Sequence, residues 1–307
     1  MTLWWRGRVS RWLGRVWGSA GSAGRPSRTS QAVALTRAEF VRPHSPGGDP
    51  DAQRRLCRGM RPAGTGSRRP SLAARTSFFD EQVLAAISAG IRQVVIVGAG
   101  YDDRALRFRT PGVRFFELDH PATQADKAAR LRKMGVRAGG QAAVVLRKTE
   151  RAAARPGRRR GSQAGPDGPV LAPADFRHDD VAAVLAACGH DAGQPSLFVC
   201  EGLLVYLDQP TCVRLLSALG QRAAAGSVLA VSLSVHRDGL DSARVVEVAN
   251  ARRRAAGTEP WLTILPAAAH LDLLCRAGWA PAEVVDAARL DTGAEPGRSL
   301  LVTAGLG

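Results

Sequence analysis

The chain of 307 residues contains no apolar run long enough to cross a membrane. A transmembrane helix needs about 18 or more consecutive apolar residues, and none is present. We therefore expect no membrane-spanning segment. The hydrophobic content of 45% is ordinary for a soluble globular protein, and the length allows a sizeable core.

Cysteine is sparse and scattered. The five cysteines include no C-x-x-C pair, which argues against both a zinc pattern and a disulfide framework and favours a reducing cytoplasm. The histidines are also dispersed, and none is placed at ligand spacing from another. The sequence therefore predicts a cytoplasmic protein without a metal site.

Acidic residues are too few to balance the basic ones. The chain has 27 Asp and Glu against 43 Lys and Arg, a net charge of +16, which could indicate nucleic-acid binding. Much of the excess lies in residues 1–75 and 147–160, however. Neither stretch has aromatic residues interleaved with basic ones on a strand-like pattern, which a stacking platform would need. We therefore expect no specific nucleic-acid partner.

The most informative motif is a glycine turn that follows a buried strand. The apolar run Val94–Val97 is typical of a strand buried on both faces of a parallel sheet, and Gly98-Ala-Gly100 follows it directly. Glycines without side chains would let a ligand approach the backbone. A second predicted strand ends at Asp119, about 20 residues on, the spacing at which a carboxylate meets an adenosine ribose.

The third glycine of the dinucleotide-binding fingerprint is missing, because Asp103 stands in its place. That glycine allows close helix packing behind a bound pyrophosphate. An acid there, beside Asp102, disfavours a phosphate ligand and favours one with a cationic head. S-adenosylmethionine fits, since it has an adenosine, a sulfonium and an ammonium but no phosphate. The lack of a Tyr-x-x-x-Lys pair also argues against a nicotinamide-dependent dehydrogenase.

From Ile91 onward the sequence alternates between strand and helix patterns, which predicts an α/β fold with a Rossmann-like parallel sheet and helices on both faces. The predicted strands are 93–97, 113–118, 142–146, 196–200, 227–234 and 298–304. The predicted helices after the first strand are 102–108, 121–134, 179–188, 209–224, 240–255 and 266–277.

Helical patterns also precede the sheet, at 30–42, 51–60 and 78–89. Ser30 is the expected N-cap of the first and Ser77 that of the last, which Gly90 should terminate.

Two segments lack the patterns of a folded domain. Residues 1–27 combine four tryptophans with arginines and a Gly/Ser/Ala/Pro linker, which predicts a disordered extension or an interfacial amphipathic helix. Residues 147–170 are rich in Arg, Gly and Pro and have no apolar period, which predicts a flexible surface insertion.

Several ordered motifs resemble those of a known family. They are Ala74-Arg-Thr-Ser-Phe-Phe-Asp80, Gly98-Ala-Gly-Tyr-Asp-Asp-Arg104, Phe116-Glu-Leu-Asp119, Ala174-Asp-Phe-Arg177 and Cys200-Glu-Gly-Leu-Leu-Val-Tyr-Leu207. In this order they resemble leucine carboxyl methyltransferase-like proteins, above all the actinobacterial-type branch of S-adenosylmethionine-dependent methyltransferases. The stretch Ser30–Pro43 is similar to the N-terminal helix of that branch. The resemblance implies a class I methyltransferase domain at 28–307, with an N-terminal helical cap at 28–90 and a Rossmann-like core at 91–307.

The resemblance also implies S-adenosylmethionine as the cofactor and indicates how its adenosine part is held. Gly98 and Gly100 would let atoms of the methionine end lie against the backbone, and Asp119 would accept hydrogen bonds from two ribose hydroxyls. Asp175 and Phe176 resemble an Asp-Leu pair that flanks the adenine, with Phe in place of Leu.

Further implied contacts lie at the amino-acid end of the cofactor. Arg75 resembles an arginine that pairs with the cofactor carboxylate, and Glu201 resembles an acid near the same end. Asp102 is another candidate cofactor-binding residue. Alternatively, Asp102, Asp103 and Arg104 could form an acidic pair at a helix N-terminus with a surface ion pair.

Three more residues have an open role. Glu117, on the same strand face as Asp119, would assist it or cap the strand. Trp261, in the predicted cap region 236–266, is a candidate wall of an acceptor pocket. Tyr206 either faces that pocket or belongs to the core.

These features together predict an S-adenosylmethionine-dependent O-methyltransferase. No unmistakable general base is present, which favours a carboxylate or another pre-ionised oxygen of a small-molecule acceptor. The alternative is a degenerate homologue that binds a partner, including nucleic acid, through its Arg-rich segments. The intact acids at positions 119, 175 and 201 argue against this alternative.

Overall fold

The computed structural model describes residues 24–61, 69–139, 167–255, 259–290 and 298–307. Its strands are β1 (Gln93–Val97), β2 (Arg114–Asp119), β3 (Arg137–Gly139), β4 (Asp167–Pro173), β5 (Ser196–Cys200), β6 (Val228–His236), β7 (Leu265–Pro266), β8 (Trp279–Asp286) and β9 (Ser299–Leu306). Its helices are α1 (Arg28–Arg37), α2 (Ala52–Leu56), α3 (Arg69–Ser88), α4 (Arg104–Arg107), α5 (Pro121–Lys133), α6 (Val181–Ala187), α7 (Gln209–Gly220), α8 (Ser242–Ala255), α9 (Ala267–Arg276) and α10 (Ala287–Leu290), with a 3-10 turn at Leu204–Tyr206.

The strands form a sheet in the order β3-β4-β2-β1-β5-β6-β9-β8, and β7 pairs with the end of β6. Strands β2 to β6 run parallel with β1, whereas β9 is antiparallel to both β6 and β8. The chain winds outward from β1 in one direction through β2 and in the other through β5. The predicted Rossmann-like parallel sheet is thereby confirmed.

Strand β1 shows how helices come to cover both faces of this sheet. Because successive side chains of a strand point to opposite faces, Val95 and Val97 pack with α6, α7 and α9, whereas Val94 and Ile96 pack with α3. All of β1 is buried. Each such aliphatic side chain stabilises the fold by about 1.5–3 kcal/mol through burial.

The N-terminal helices are also present, but the first and third begin earlier than predicted. Helix α1 is capped by Ser27, whose Oγ accepts a hydrogen bond from the N–H of Ser30 at 3.1 Å, so the assignment of Ser30 as the N-cap is wrong. Helix α3 starts at Arg69, and Ser77 lies in its interior, so the prediction that Ser77 caps this helix is wrong. Gly90 follows the end of α3 with a φ of +94°, as expected of a terminator.

Four strands of the structure were not predicted: β3, β4, β7 and β8. Strands β3 and β7 are very short, and β8 contains Pro281 and several exposed residues. Residues 167–170 belong to β4, so the predicted insertion ends before them; pairing with β2 and β3 outweighs the local Gly-Pro sequence. The predicted strand 142–146 lies outside the described residues. No helix in the described ranges has the length and apolar character that a bilayer span requires.

Candidate functional site

A cavity of about 690 Å³ opens at the carboxyl ends of the parallel strands, beside β1 and β5. In open α/β sheets, ligands bind in the crevice where the winding direction reverses, which here is between these two strands. The cavity is lined by every residue that the sequence predicts as a cofactor contact: Arg75, Gly98, Gly100, Asp102, Asp119, Asp175, Phe176 and Glu201. The fold thus brings residues that are distant in the sequence to one surface.

The turn after β1 requires both of its glycines. Their φ angles are +69° at Gly98 and +50° at Gly100, a region that residues with a side chain rarely adopt. A Cβ on Gly98 would lie 2.9 Å from Cδ1 of Leu203, and one on Gly100 would lie 2.7 Å from Cβ of Ser30. The positive φ angles and the close approach of Leu203 and Ser30 therefore favour glycine at both positions, independently of any contact with a ligand.

Asp119 ends β2 at the cavity wall. Its Oδ2 accepts a hydrogen bond from the N–H of Gly100 at 2.5 Å, and its Oδ1 accepts one from the N–H of His120 at 2.6 Å. Burial raises the pKa of the Asp119 carboxyl, and the two N–H groups act in the opposite direction. Since a carboxylate can accept about four hydrogen bonds, Asp119 is oriented by the backbone and keeps the capacity to bind hydroxyl donors.

Asp175 and Phe176 follow β4. The N–H of Ala174 donates to the carbonyl of Asp119 at 2.9 Å, which ties the two strand ends together. Asp175 is half-buried, and its Oδ1 accepts a hydrogen bond from the N–H of Arg177 at 3.0 Å. Phe176 packs into the core beneath α6 and α7 while lining the cavity. The pair adds a carboxylate and an aromatic side chain next to Asp119.

A group of charged side chains, nearly all of them buried, adjoins the cavity, and we call it the arginine–carboxylate cluster. Its members are Arg37, Arg42, Arg75, Arg104, Arg107, Asp80, Asp102, Asp103 and Glu201. Arg104 lies fully buried at its centre, 2.7 Å from Asp80, 2.5 Å from Asp102 and 2.8 Å from Glu201. Burial alone would lower the pKa of Arg104, but these carboxylates raise it well above its ordinary value.

Glu201 joins the cluster to the cavity. Nε of Arg75 donates to its Oε1 at 2.9 Å, Nη2 of Arg37 contacts the same oxygen, and Nη1 of Arg104 donates to Oε2. Burial would raise the pKa of Glu201, but the three guanidinium groups hold it well below its usual range. Glu201 is therefore an anion throughout the physiological pH range.

Asp102 and Asp103 belong to this cluster and do not form a surface ion pair. Asp103 is fully buried, 2.6 Å from Nη1 of Arg42 and 2.7 Å from Nε of Arg107, and it does not line the cavity. Asp102 does line the cavity, but two arginines of the cluster bind its Oδ2. The charge of Asp103 is thus unavailable to a ligand, and the argument that it favours a cationic head is wrong.

The cluster has five guanidinium groups for four carboxylates, and Arg75 is where the excess positive charge reaches the cavity. Its side chain is 26% exposed, whereas the other charged side chains of the cluster are at most 7% exposed. Within the described residues, Nη1 and Nη2 of Arg75 have no hydrogen-bond partner. Arg75 therefore presents a pair of open donors suited to a carboxylate.

Sequence reasoning missed four members of the cluster: Arg37, Arg42, Asp80 and Arg107. The first three lie inside motifs that carry the family resemblance, Ser30–Pro43 and Ala74–Asp80. Charged residues are almost never fully buried unless they are paired. The partners here lie on separate elements, so only the folded arrangement identifies these residues as internal.

Glu117 and Lys127 form a second buried charge pair under the glycine turn. Nζ of Lys127 lies 2.5 Å from Oε2 of Glu117 and donates to the carbonyl of Asp102 at 2.7 Å. Burial raises the pKa of Glu117 to about 7, although Lys127 opposes this shift. Glu117 does not line the cavity, so it does not assist Asp119 directly; with Lys127 it supports the turn from below.

The cavity continues past Glu201, where Tyr206 and Trp261 line it. The structure thus places both side chains in the wall of this cavity; the acceptor role of Trp261 stays a prediction. The segment 259–261 is attached to the start of α1, since Ser27 Oγ donates to Oε1 of Glu259 at 2.8 Å. In the part of the chain that the structure describes, no three His, Cys, Asp or Glu side chains are grouped to hold a metal ion.

Comparison with known proteins shows related chains in actinobacteria. A protein from Frankia alni described as a candidate S-adenosyl-L-methionine-dependent methyltransferase is 37% identical over 164 residues, which cover 53% of this chain and 48% of that protein. One of the same description from Mycolicibacterium smegmatis is 32% identical over 258 residues, 78% of this chain and 68% of that protein. The chain spans about half the length of several such relatives.

Among solved structures, a candidate methyltransferase from Thermobifida fusca aligns with a TM-score of 0.49 and 17% identity, covering 95% of this chain and 99% of that one. A sequence profile described as leucine carboxyl methyltransferase matches residues 30–220, which is more than half of the chain. With this match, and with 32% identity to a relative of which it covers 68%, the chain belongs to the leucine carboxyl methyltransferase family.

Proposed function

We propose that the protein is an S-adenosylmethionine-dependent O-methyltransferase acting on a carboxylate or another oxygen of a small molecule. The observation that carries the proposal is the convergence of the glycine turn, the strand-end carboxylate Asp119 and the open donors of Arg75 on one cavity. The descriptions of the relatives from Frankia alni and Mycolicibacterium smegmatis support the same activity.

The residues present fit the adenosine part of this cofactor. Asp119, oriented by the N–H of Gly100, accepts hydrogen bonds from the two ribose hydroxyls. Asp175 accepts from the exocyclic amine of adenine, and Phe176 packs against the ring. Both follow β4, next to β2 in the sheet, so the three side chains form one continuous wall.

The amino-acid part fits the cluster side of the cavity. Arg75 binds the carboxylate through Nη1 and Nη2, which compensates the excess positive charge of the arginine–carboxylate cluster. Asp102 and Glu201 line the same region, beside Gly98. Arginines of the cluster bind the side chains of Asp102 and Glu201. We therefore assign two roles to Asp102 and Glu201: they balance the charge of the ligand's ammonium group, and they hold the arginines in place.

S-adenosylmethionine supplies a methyl group on a sulfonium; when an ionised carboxylate receives it, an ester and a neutral thioether result and no proton needs removing. The protein has to align the acceptor and exclude water. The contacts of Ser27 and Thr29 with Glu259 bring the start of α1 and segment 259–261 together along the cavity wall. These two segments are the part of the chain we assign to water exclusion.

A reducing compartment suits this protein. All five cysteines are free thiols, and three of them, Cys57, Cys200 and Cys212, are buried. We propose a cytoplasmic location on this basis.

Calorimetric titration with S-adenosylmethionine, S-adenosylhomocysteine and NAD tests the proposed function. We expect micromolar binding of the two adenosyl-sulfur ligands and none of NAD. A folded protein that binds neither of the first two would overturn the proposal and favour the binding-only homologue. The variant Asp272→Asn, in an exposed ion pair with Arg276, is the matched control and should bind like the wild type.

A further inference from the structure

The part of the cavity beyond Glu201 is separate from the proposed cofactor contacts, and we call it the acceptor half. The adenosine contacts follow β1, β2 and β4, whereas the acceptor half extends along β5, β6 and the start of β9. Its walls come from the turn after β5, the serines of β6 and segment 259–261: Leu203, Tyr206, Ser232, Ser234, Glu259 and Trp261. The proposed function makes this the place where the methyl acceptor binds.

Two aromatic side chains dominate this half, and a cation lies next to both. The guanidinium carbon of Arg253 is 4.6 Å from the ring centroid of Trp261 and 5.5 Å from that of Tyr206. Asn250 of α8 fixes the backbone of Trp261: its Oδ1 accepts a hydrogen bond from the backbone N–H at 2.8 Å, and its Nδ2 donates one to the backbone carbonyl at 2.7 Å. Contacts within the protein thus set the position of Trp261, and one cation contacts both rings.

Among the described residues that line it, the acceptor half offers no open anion. Both carboxylate oxygens of Glu259 are occupied, because Ser27 Oγ donates to Oε1 at 2.8 Å and Thr29 Oγ1 donates to Oε2. Within the described residues, the hydroxyls of Tyr206, Ser234 and Ser299 have no hydrogen-bond partner. An incoming molecule meets aromatic surface and free hydroxyls, with the guanidinium of Arg253 against the two rings and outside the lining of the cavity.

We propose that the acceptor half binds a planar aromatic carboxylic acid. The ring of the acid packs against Tyr206 and Trp261, and its carboxylate lies among the free hydroxyls. This inference rests on the proposed function and deepens it by naming the class of acceptor.

Other classes of acceptor match these walls less well. Offset or edge contacts between aromatic rings add affinity beyond the buried area, which a saturated ring cannot gain. A cationic amine finds no open carboxylate among the described walls and comes near the guanidinium of Arg253 against the rings, and a like charge disfavours binding. An anion gains from the same guanidinium.

The test compares matched ligands on protein saturated with S-adenosylhomocysteine, by calorimetric titration. The probes are 2-naphthoate, its saturated analogue decahydro-2-naphthoate, and 2-naphthylmethylamine, which share one size and differ in aromaticity or charge. We expect 2-naphthoate to bind roughly tenfold more tightly than the saturated acid, and the amine to bind more weakly than either acid. Equal affinities of the two acids, tighter binding of the amine, or no binding of 2-naphthoate would each overturn the inference.

Two variants test whether the rings of Tyr206 and Trp261 cause the preference for the aromatic acid. Tyr206→Leu and Trp261→Leu should each reduce the preference for the aromatic acid by several-fold and leave S-adenosylhomocysteine affinity unchanged. Leu262→Ala, at an exposed neighbour of Trp261, is the control and should keep the full preference. An unchanged preference in either folded ring variant would contradict the assigned wall. Loss of S-adenosylhomocysteine binding by the wild type would instead count against the proposed function, so the two failures are distinguishable.

Discussion

Arg75 and Glu201 lie 126 positions apart in the sequence and meet at the cavity, with Nε of the arginine 2.9 Å from Oε1 of the glutamate. The contact uses the inner edge of the guanidinium and leaves Nη1 and Nη2 for a ligand. Glu201 in turn is fixed by Arg37 and Arg104. The buried cluster thus sets the direction in which Arg75 points, which gives the proposed carboxylate contact its geometry.

The first prediction concerns Arg75. Arg75→Ala should weaken S-adenosylhomocysteine binding roughly 10- to 100-fold, because hydrogen bonds to charged groups contribute about 1.5–3 kcal/mol. Arg75→Lys should recover only part of this loss, since lysine lacks the planar fork. Calorimetry with methylthioadenosine, which has no carboxylate, is the internal control and should give the same affinity in the wild type and both variants. An equal loss for both ligands would contradict the assigned contact.

The second prediction concerns Asp119, whose substitution should weaken the binding of both ligands and not only of the one with a carboxylate. Asp119→Ala removes the proposed acceptor for the ribose hydroxyls, which both ligands contain. We therefore expect S-adenosylhomocysteine and methylthioadenosine to lose affinity together, by about 1–3 kcal/mol. A variant that binds both ligands like the wild type, with its fold verified by circular dichroism, would remove Asp119 from the site.

The third prediction tests the arginine–carboxylate cluster as a unit of stability. Asp80 accepts hydrogen bonds from Arg42 at 2.8 Å and from Arg104 at 2.7 Å, and it is fully buried. Asp80→Asn removes a counter-charge that two buried guanidinium groups share and increases the excess positive charge of the cluster, which should lower the free energy of unfolding by about 3–5 kcal/mol. The exposed control Asp272→Asn should change it by less than about 1 kcal/mol. Similar small effects of the two variants in urea denaturation would show that the cluster contributes little to stability.

Local patterns predicted the central strands of the sheet and the glycine turn with Asp119, whereas the family resemblance supplied Arg75, Asp175, Phe176 and Glu201. The buried run of β1, the glycines after it and the acid at the end of β2 are contiguous signals, and the sheet places them at one edge. Alternating strands and helices allow few ways of connecting a parallel sheet. The eight residues predicted to contact the cofactor therefore line one cavity. The long-range hydrogen bonds and ion pairs that these residues make were not predicted.

The partners of the charged residues could not be predicted in the same way. Asp102-Asp103-Arg104 has the pattern of a solvated helix start, yet Asp103 binds Arg42 and Arg107 in the interior. That burial depends on α1 and α3 packing over the turn after β1, a tertiary contact without a local signal. The same holds for β8, whose exposed residues and Pro281 do not form a strand pattern until β9 pairs with it.

A pH dependence should follow from Glu117. Burial raises its pKa from the ordinary value of 4.5 to about 7, against the attraction of Lys127 and with smaller repulsion from Asp102 and Asp119. The folded protein thus binds a proton that the unfolded chain releases. The contribution of this proton binding to the free energy of unfolding is fully present below pH 4.5 and is lost as the pH rises through about 7.

The test is urea denaturation between pH 5 and pH 8 for the wild type and Glu117→Gln. The wild type should lose on the order of 1–3 kcal/mol more than the variant over this range. Parallel pH profiles for the two proteins would show that Glu117 does not titrate in this window.

The last prediction separates two reasons for glycine at position 100. Its φ is +50°, and a Cβ there would lie 2.7 Å from Cβ of Ser30. Gly112 also has a positive φ, +78°, but a Cβ on it would meet nothing within 4 Å. Both alanine variants should lose about 1–2 kcal/mol through the backbone conformation. Only Gly100→Ala also has to displace Ser30 and the start of α1.

We therefore expect Gly100→Ala to unfold at a lower urea concentration than Gly112→Ala and to bind S-adenosylhomocysteine more weakly, whereas Gly112→Ala should bind like the wild type. The second change Ser30→Gly should restore part of the stability of Gly100→Ala, because it removes the Cβ that the new methyl group would contact. If Ser30→Gly brought no recovery, the close approach of α1 to the glycine turn would not be what requires glycine at this position.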